Sequence, residues 1–573
     1  MKQNFMLCLL KYSITMSRLR IKQVFIGALI TIFSFVFISA SLPDSFFEVT
    51  KQLDIFTTLY KELNTYYVDT LNTERLFQVG ISAMCESLDP YTDFIPEDDI
   101  QEYRQQTTGR YGGIGSLIGT RGDFVIITDP YEEFPAAKAG LRAGDKILEI
   151  DSKSVRKENS DVVSKQLRGK AGTNVVIRIA RLQADGSEKE ITVTLTREEI
   201  KIKNVPYYGV VKDGIGYIRL NGFTERAGIE VRNALTALIS KNKVDGVILD
   251  LRGNPGGLLN EAINVANCFL DKGKEVVSTR GRVESQSHVY YTTSDPVDTK
   301  IPLAVLVDEG SASAAEIVSG SLQDFDRAVI LGERTYGKGL VQSTHSLPFN
   351  AKLKITTAKY YIPSGRCIQA INYAEKKEDG SVKKKEDSLK VAFKTKGGRI
   401  VYDGVGIDPD LGTQADTLSQ VAIALFTQNL FFDYAVKYRA RTPAITNSRN
   451  FALSEADYAD FVQFVTEKNN FTYSTRSEKL IDELKKVSEK EKMYEPIKNE
   501  LKEMNDKLVH DKKNDLNKDK DLIKRLLEQE ICAQYFLNQG RIESTIQSDK
   551  EVSTAIELLK NKKRVQGILT VKK

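Results

Sequence analysis

Apolar residues recur along this chain in four successive rhythms. From Asp44 to Asp99 the spacing is helical, with Val49, Leu53, Phe56, Tyr60 and Leu63 falling at alternating four- and three-residue steps. Around Tyr103 the rhythm shortens to strands and glycine turns. An extended run opens at Tyr111-Gly112-Gly113-Ile114-Gly115 and reaches Thr128. A polar helix over Ser160–Leu167 and strands over Val175–Ala180 and Glu190–Leu195 follow. From Val205 strands and helices alternate. Gly216–Leu220, Asp245–Leu251, Pro302–Asp308 and Ala328–Leu331 read as strands, and Arg226–Lys241 and Leu258–Leu270 as helices. Beyond Thr413 the pattern is helical to Lys573, with dense Lys, Glu and Asp between Glu478 and Gln529. That texture predicts an appendage with solvated charged faces.

The α/β part carries the chemistry. After the apolar run ending at Asp308, Gly310-Ser311-Ala312-Ser313-Ala314-Ala315-Glu316 makes a turn of small residues, and a helical pattern resumes at Ile317. A strand, a tight turn and a helix can present a serine with backbone N–H groups around it. The three histidines, His288, His345 and His510, lie in no setting that suggests a triad base, although His345 stays a candidate. A lysine serves instead when burial frees its amine of a proton. Lys338, between Gly337 and Gly339 on a turn after a buried strand, suits that role.

Gly-Ser-Ala-Ser-Ala-x-Glu-Ile around Ser313, with Gly-Lys-Gly-x-Val-Gln around Lys338 25 positions later (338 − 313), resembles the carboxyl-terminal processing peptidases, the tail-specific serine proteases. The resemblance extends over about Asp44 to Gly412. It implies that Ser313 is the nucleophile, Lys338 the general base, and Gln342 the residue that orients the lysine. Backbone N–H groups of Gly257 and Ala314 would form the oxyanion hole. Gly257 closes the turn Arg252-Gly-Asn-Pro-Gly-Gly257, which exposes N–H groups between a strand and a helix. The β-rich segment resembles a PDZ domain. By that resemblance the N–H groups of Gly113, Ile114 and Gly115 receive a peptide's terminal carboxylate, with Ile114 and Leu117 lining a side-chain pocket.

Other chemistries fit less well. Gly332-x-x-x-x-Gly337-Lys338 nearly spells a phosphate-binding loop, but Gly339 stands where a magnesium-binding hydroxyl is needed. Gly113-x-Gly115 lacks the third glycine at the dinucleotide-loop spacing and precedes a strand. Cys367, in Pro363-Ser-Gly-Arg-Cys367, is a rival nucleophile with no histidine close in sequence. The five cysteines are scattered without metal or disulfide spacing; Cys85 and Cys268 sit in apolar helical patterns and read as core. With 82 basic and 77 acidic side chains the chain is near charge balance, which argues against a nucleic-acid partner.

Before Asp44, Lys11, Arg18, Arg20 and Lys22 precede an apolar run from Val24 to Ala40 and then Ser41-Leu-Pro43. This is a signal peptide or an uncleaved anchor, and Met16 offers an alternative start. The expected order is then residues 1–43 for export or anchoring, 44–103 a helical lead-in, 104–198 the PDZ domain, 199–412 a crotonase-like α/β peptidase core, and 413–573 a mainly α-helical extension. The segment Tyr373–Gly398, rich in charge, reads as an exposed insertion. The expected activity is serine endopeptidase action on proteins with free, apolar C-termini, in the periplasm or cell envelope, with no cofactor or metal. The membrane is a partner if the N-terminal segment is uncleaved, and self-association into a homo-oligomer stays open. A non-catalytic PDZ scaffold is the alternative, and it would need neither Ser313, Lys338 nor Gln342.

Overall fold

The computed structural model describes residues 44–375, 381–382, 387–413, 418–468, 471–508 and 512–570. The basic and apolar run before Asp44, together with His510, lies outside them. The chain divides into two compact units, Met1–Met84 and Cys85–Lys573. In the first, the helix Asp44–Tyr66 is joined to the start of Thr73–Glu86 by a Tyr60 hydroxyl bond to the Thr73 carbonyl at 2.7 Å. Among the described residues no helix is long and apolar enough to cross a membrane.

The centre of the second unit is a six-stranded sheet. Its order is Tyr207–Val210, Ile215–Arg219, Gly246–Asp250, Leu303–Val307, Val329–Gly332 and Leu411–Gly412, parallel after the first pair. Every residue of Gly246–Asp250 and Leu303–Val307 is buried, as continuous apolar runs in a doubly covered parallel sheet require. Alternation assigns the two faces. Val247, Leu249, Val305 and Ile330 pack with Val231, Leu235, Val265 and Val318, from the helices Ala227–Ser240, Leu259–Ala266 and Ala314–Asp324. Ile248, Leu306, Val329 and Leu331 pack on the opposite side with Val552, Ala555, Ile556 and Leu559, from the helix Lys550–Lys560.

That second layer corrects the expectation of a solvated C-terminal appendage. The hairpin of Arg476–Lys490 and Tyr494–Leu508 does carry mostly exposed charge. The helix Lys520–Ser548 buries Ile523, Leu527 and Ile531 against Phe431, Tyr434 and Phe461, and Lys550–Lys560 then closes the sheet. Its apolar spacing is the same whether a sheet or water lies opposite, so periodicity alone did not separate the two roles.

Three further readings change. Asp93–Ile95, expected as helix, is a short strand antiparallel to Lys352–Lys354. It joins a second sheet with Lys352–Tyr361, Glu275–Gly281, His288–Tyr291 and Leu340–Ser346. The helix expected to reach Leu270 ends at Ala266. Near the end of the supposed insertion, Ala392–Lys394 pairs with Ile400–Tyr402, just beyond it, as a hairpin. It is held down by Arg399 Nε on Asp326 Oδ1 at 2.6 Å and by the Lys396 N–H on the Asp324 carbonyl at 2.7 Å.

The β-rich segment hangs on a two-stranded neck, Arg110–Gly113 paired with Glu198–Lys201. Beyond it runs a sheet in the order Ser116–Arg121, Phe124–Pro130, Lys146–Ile150, Asn174–Leu182, Glu188–Thr196. Ser116–Arg121 is an edge strand, and the helix Ser160–Leu167 lies beside it. Asn159 caps that helix by accepting from the Val162 N–H at 2.9 Å.

Candidate active site

Ser313 stands between the strand Leu303–Val307 and the helix Ala314–Asp324 with φ 55° and ψ −114°. A non-glycine residue in that region carries about 1–3 kcal/mol of backbone strain, which surrounding contacts must hold in place. The loop Arg252–Gly257 presses backbone to backbone on the turn, with the Ala312 N–H donating to the Asn254 carbonyl at 2.9 Å. A Cβ on Gly256 would lie 2.7 Å from the Ala312 carbonyl oxygen and 2.8 Å from Ser313 Cβ, so only glycine fits. The two serines of the turn part company here. Ser311 is fully buried, its hydroxyl donating to the Leu251 carbonyl at 2.8 Å and accepting from the Asp308 N–H at 3.0 Å. Ser313 faces a cavity instead.

Glu316, one turn into the helix, binds the serine turn to the lysine loop. Its fully buried carboxylate accepts from the N–H groups of Ser313 at 2.8 Å, Gly337 at 2.7 Å and Lys338 at 2.8 Å, and from the Thr335 hydroxyl at 2.5 Å. Burial pushes its pKa up to about 7 while these four donors favour the charged form. The sequence carried a trace of this role, since Ser313-x-x-Glu316 is capping-box spacing. What it could not carry is the reach to Thr335 and Lys338. The same bonds dispose of the phosphate-loop alternative, because the N–H groups of Gly337 and Lys338 are spent on a carboxylate. The Gly339 N–H is spent on Gln369 Oε1 at 2.6 Å.

Lys338 is largely buried, and burial lowers its pKa to about 8. Lys354 pushes the same way, while Asp89 and Glu316 oppose. Its Nζ lies 4.2 Å from the centre of the Tyr91 ring. Among the described residues no hydrogen bond joins it to Ser313 Oγ. Tyr91 is held by Asp89, whose Oδ1 accepts from the N–H groups of Tyr91 and Thr92 at 2.8 Å each. The fully buried Tyr360 hydroxyl donates to the Lys338 carbonyl and has Ser313 as a side-chain hydrogen-bond neighbour. Gln342 lies on the next strand, its Nε2 donating to Thr356 Oγ1 at 3.1 Å.

A cavity of about 430 Å³ gathers Gly257, Ser313, Ala314, Lys338 and Gln342, with Leu258 and Leu340 among its apolar lining. Neither His345, exposed on its strand, nor Cys367 reaches it. The remaining sequence-named residues, Gly113, Ile114, Gly115 and Leu117, line a separate cavity between the edge strand Ser116–Arg121 and the helix Ser160–Leu167. Gly115 has φ 74°, and a Cβ there would meet Phe134 Cβ at 2.4 Å. Ile114 is buried in the core of its domain, whereas Leu117 is half exposed.

Three family models match the chain. The model for peptidase family S41 matches residues 214–375, a PDZ domain model matches 126–181, and the C-terminal helical domain of a probable PDZ-protease matches 421–559. The carboxy-terminal-processing protease of Bartonella bacilliformis is 38% identical over 347 residues, which are 59% of this chain and 79% of that protein. A probable CtpA-like serine protease of Staphylococcus aureus is 30% identical over 471 residues, 81% of this chain and 91% of that protein. Among solved structures, a photosystem II D1 C-terminal processing protease is 27% identical with a TM-score of 0.34, covering 64% of this chain and 93% of that one. The chain therefore belongs to the carboxy-terminal-processing proteases of peptidase family S41, serine endopeptidases that here combine a peptidase core with a PDZ domain and a C-terminal helical domain.

Proposed function

We propose that this endopeptidase works through a Ser-Lys dyad and takes its substrates by their C-terminal tails. The observation that carries the reading is the single cavity lined by Ser313, by a lysine with a lowered pKa, and by Gly257 and Ala314. Ser313 Oγ attacks the scissile carbonyl carbon as neutral Lys338 takes its proton. The carbonyl oxygen becomes an oxyanion facing the Gly257 and Ala314 N–H groups. The C–N bond then breaks as Lys338 returns the proton to the leaving amine, and water hydrolyses the acyl-serine by the same proton path. Rotation of the Lys338 side chain carries Nζ from the Tyr91 ring to Ser313 Oγ, and Gln342 orients the amine there.

The PDZ domain, residues 104–198, holds the tail ahead of the catalytic domain, residues 199–412. A strand-forming tail adds to the free edge of Ser116–Arg121, its carboxylate on the Gly113–Gly115 loop and its apolar side chain against Leu117. The N-terminal basic and apolar run supports a location in the cell envelope, and protease shaving of spheroplasts tests that. A domain protected in intact spheroplasts and digested only after lysis refutes it.

The dyad is tested by incubating the purified chain, and its Ser313→Ala, Lys338→Ala and Lys338→Arg forms, with an unfolded protein bearing an apolar tail. All three variants should fold and none should cleave, since a guanidinium stays protonated. Full activity in Lys338→Ala, or a loss confined to His345→Ala, overturns the dyad.

A further inference from the structure

The loop that lies against Ser313 begins at Arg252, and the guanidinium of Arg252 is gripped from the far end of the chain. Its Nη2 lies 2.8 Å from Asp549 Oδ2, and its Nη1 lies 2.6 Å from Glu551 Oε2. On the sheet side Nη2 meets Asp250 Oδ2 at 2.6 Å and Nε meets Asp250 Oδ1 at 3.0 Å. Asp250 is fully buried and also takes the Tyr217 hydroxyl at 2.6 Å and Arg219 at 2.8 Å. Burial alone would neutralise such a carboxyl, but Arg252 and Arg219 hold its pKa far below the usual range. Arg219 also donates to the Arg252 backbone carbonyl at 2.8 Å, so this residue is held by both its main chain and its side chain.

The gripping acids are themselves fixed. Asp549 Oδ1 caps the helix Lys550–Lys560 by accepting from Glu551 N–H at 2.9 Å and Val552 N–H at 3.0 Å, which leaves Oδ2 for Arg252. Glu551 Oε1 receives the Thr413 hydroxyl, just after the last strand of the sheet. The helix behind them is anchored by Val552, Ala555 and Leu559 in the sheet's second face.

From Arg252 the path to the cavity is short and bonded at each step. The Gly253 N–H donates to Asp308 Oδ1 at 2.7 Å. Asn254 Nδ2 donates to the Leu220 carbonyl at 2.7 Å, and the Gly256 N–H returns to Asn254 Oδ1 at 2.9 Å. The Phe223 N–H holds the Gly256 carbonyl at 3.1 Å. Beside Arg252 and Gly253, a cavity of about 480 Å³ separates the loop's outer side from the C-terminal helices. The ion pairs of Arg252 with Asp549 and Glu551 cross that seam.

We propose that Asp549 and Glu551 are positioning residues of the peptidase centre. Through Arg252 the C-terminal helical domain sets the loop whose Gly257 N–H faces the oxyanion. The inference rests on the oxyanion role given to Gly257 above and gives the C-terminal helical domain a part in positioning the site. Neutral isosteres remove the pull while keeping the shape.

The test is the full chain carrying Asp549→Asn and Glu551→Gln together, compared with wild type on one tailed substrate. The expected result is a kcat lowered about tenfold or more, a KM within about twofold, and faster hydrogen exchange at the Gly256–Leu258 amides of the folded protein. Glu551→Asp, which keeps the charge, should recover part of the kcat that Glu551→Gln alone loses. If the double variant does not fold, the Glu551→Gln and Glu551→Asp pair is read in the same way. Wild-type kcat and unchanged exchange, with only a lower Tm, would reduce the acids to an anchor and overturn the proposal. Cleavage that survives in Ser313→Ala would sink the dyad reading instead, so the two failures are distinct.

Discussion

The loops Arg252–Gly257 and Gly113–Gly115 each place glycine N–H groups at the end of a strand, the first beside Ser313 and the second beside the edge strand of the PDZ domain. The first is pinned from several directions. Phe223 holds it below, Asn254 ties it to the nucleophile turn, and a Cβ on Gly256 would strike Ala312 and Ser313. The second is tied on one side only, by the pairing of Gly113 with Glu198 and by the Ala136 and Tyr131 N–H bonds to the Ile114 and Gly115 carbonyls. Its other side opens onto an unpaired strand edge and the half-exposed Leu117. The difference matches two tasks. A developing oxyanion lasts only for the transition state, so its donors must be in place beforehand. A tail carboxylate is a stable ligand, and a loop with one free side can close on it at little cost.

If that contrast is right, damage to the two loops should appear in different kinetic constants. The largest effect is expected for Gly256→Ala, which displaces the loop from Ser313 and should lower kcat by about 10²–10³-fold with KM nearly unchanged. A pure KM effect would break the comparison. Gly115→Ala, strained at φ 74° and pressed against Phe134, should raise KM for tailed substrates about tenfold and leave kcat near wild type. Amidating the substrate's terminal carboxylate should do the same in wild type, and equal cleavage of amidated and free-acid tails would refute docking through the carboxylate.

The pH dependence separates the loops again. In the proposed dyad Lys338 must be neutral to accept a proton, and burial lowers its pKa to about 8. Activity is therefore lost as pH falls below that value and reaches its plateau above it, so kcat should climb through about 8 while KM stays flat. The smallest effect concerns Tyr91. An aromatic face stabilises the ammonium form, so Tyr91→Leu should move the kcat limb to lower pH by roughly 0.5, whereas Tyr91→Phe should leave it in place. On the other face of the sheet, Leu559→Ala should cost about 2–5 kcal/mol of stability, read as a lower denaturation midpoint, because it empties a fully enclosed site.

The residues proposed for the site could be named from the sequence because their signals are local. Two glycine-rich turns 25 positions apart (338 − 313) carry the serine and the lysine with their own flanking residues. Glu316 shows in the sequence only its capping-box spacing, since its partners Thr335 and Lys338 come from another loop. Three residues hold too little periodicity to mark Asp93–Ile95 as a strand, and their partner strand lies more than two hundred positions away. Ser311 and Ser313 look alike in the sequence; the Leu251 carbonyl, just past the strand Gly246–Asp250, sets them apart.

The sequence by itself determined the order of elements, the alternation that makes a parallel sheet, and the residue types able to do acyl transfer. Those depend on propensity and on neighbours a few positions apart, which a linear string records. Tertiary structure alone decided which face of the sheet the last helices would cover. It also decided that the carboxylate of Glu316 would join two loops, that Lys338 would be buried enough to lose its proton near pH 8, and that Arg252 would meet Asp549 and Glu551. Burial and ion pairing depend on groups distant in sequence being brought within a few ångströms, and only the packed chain does that.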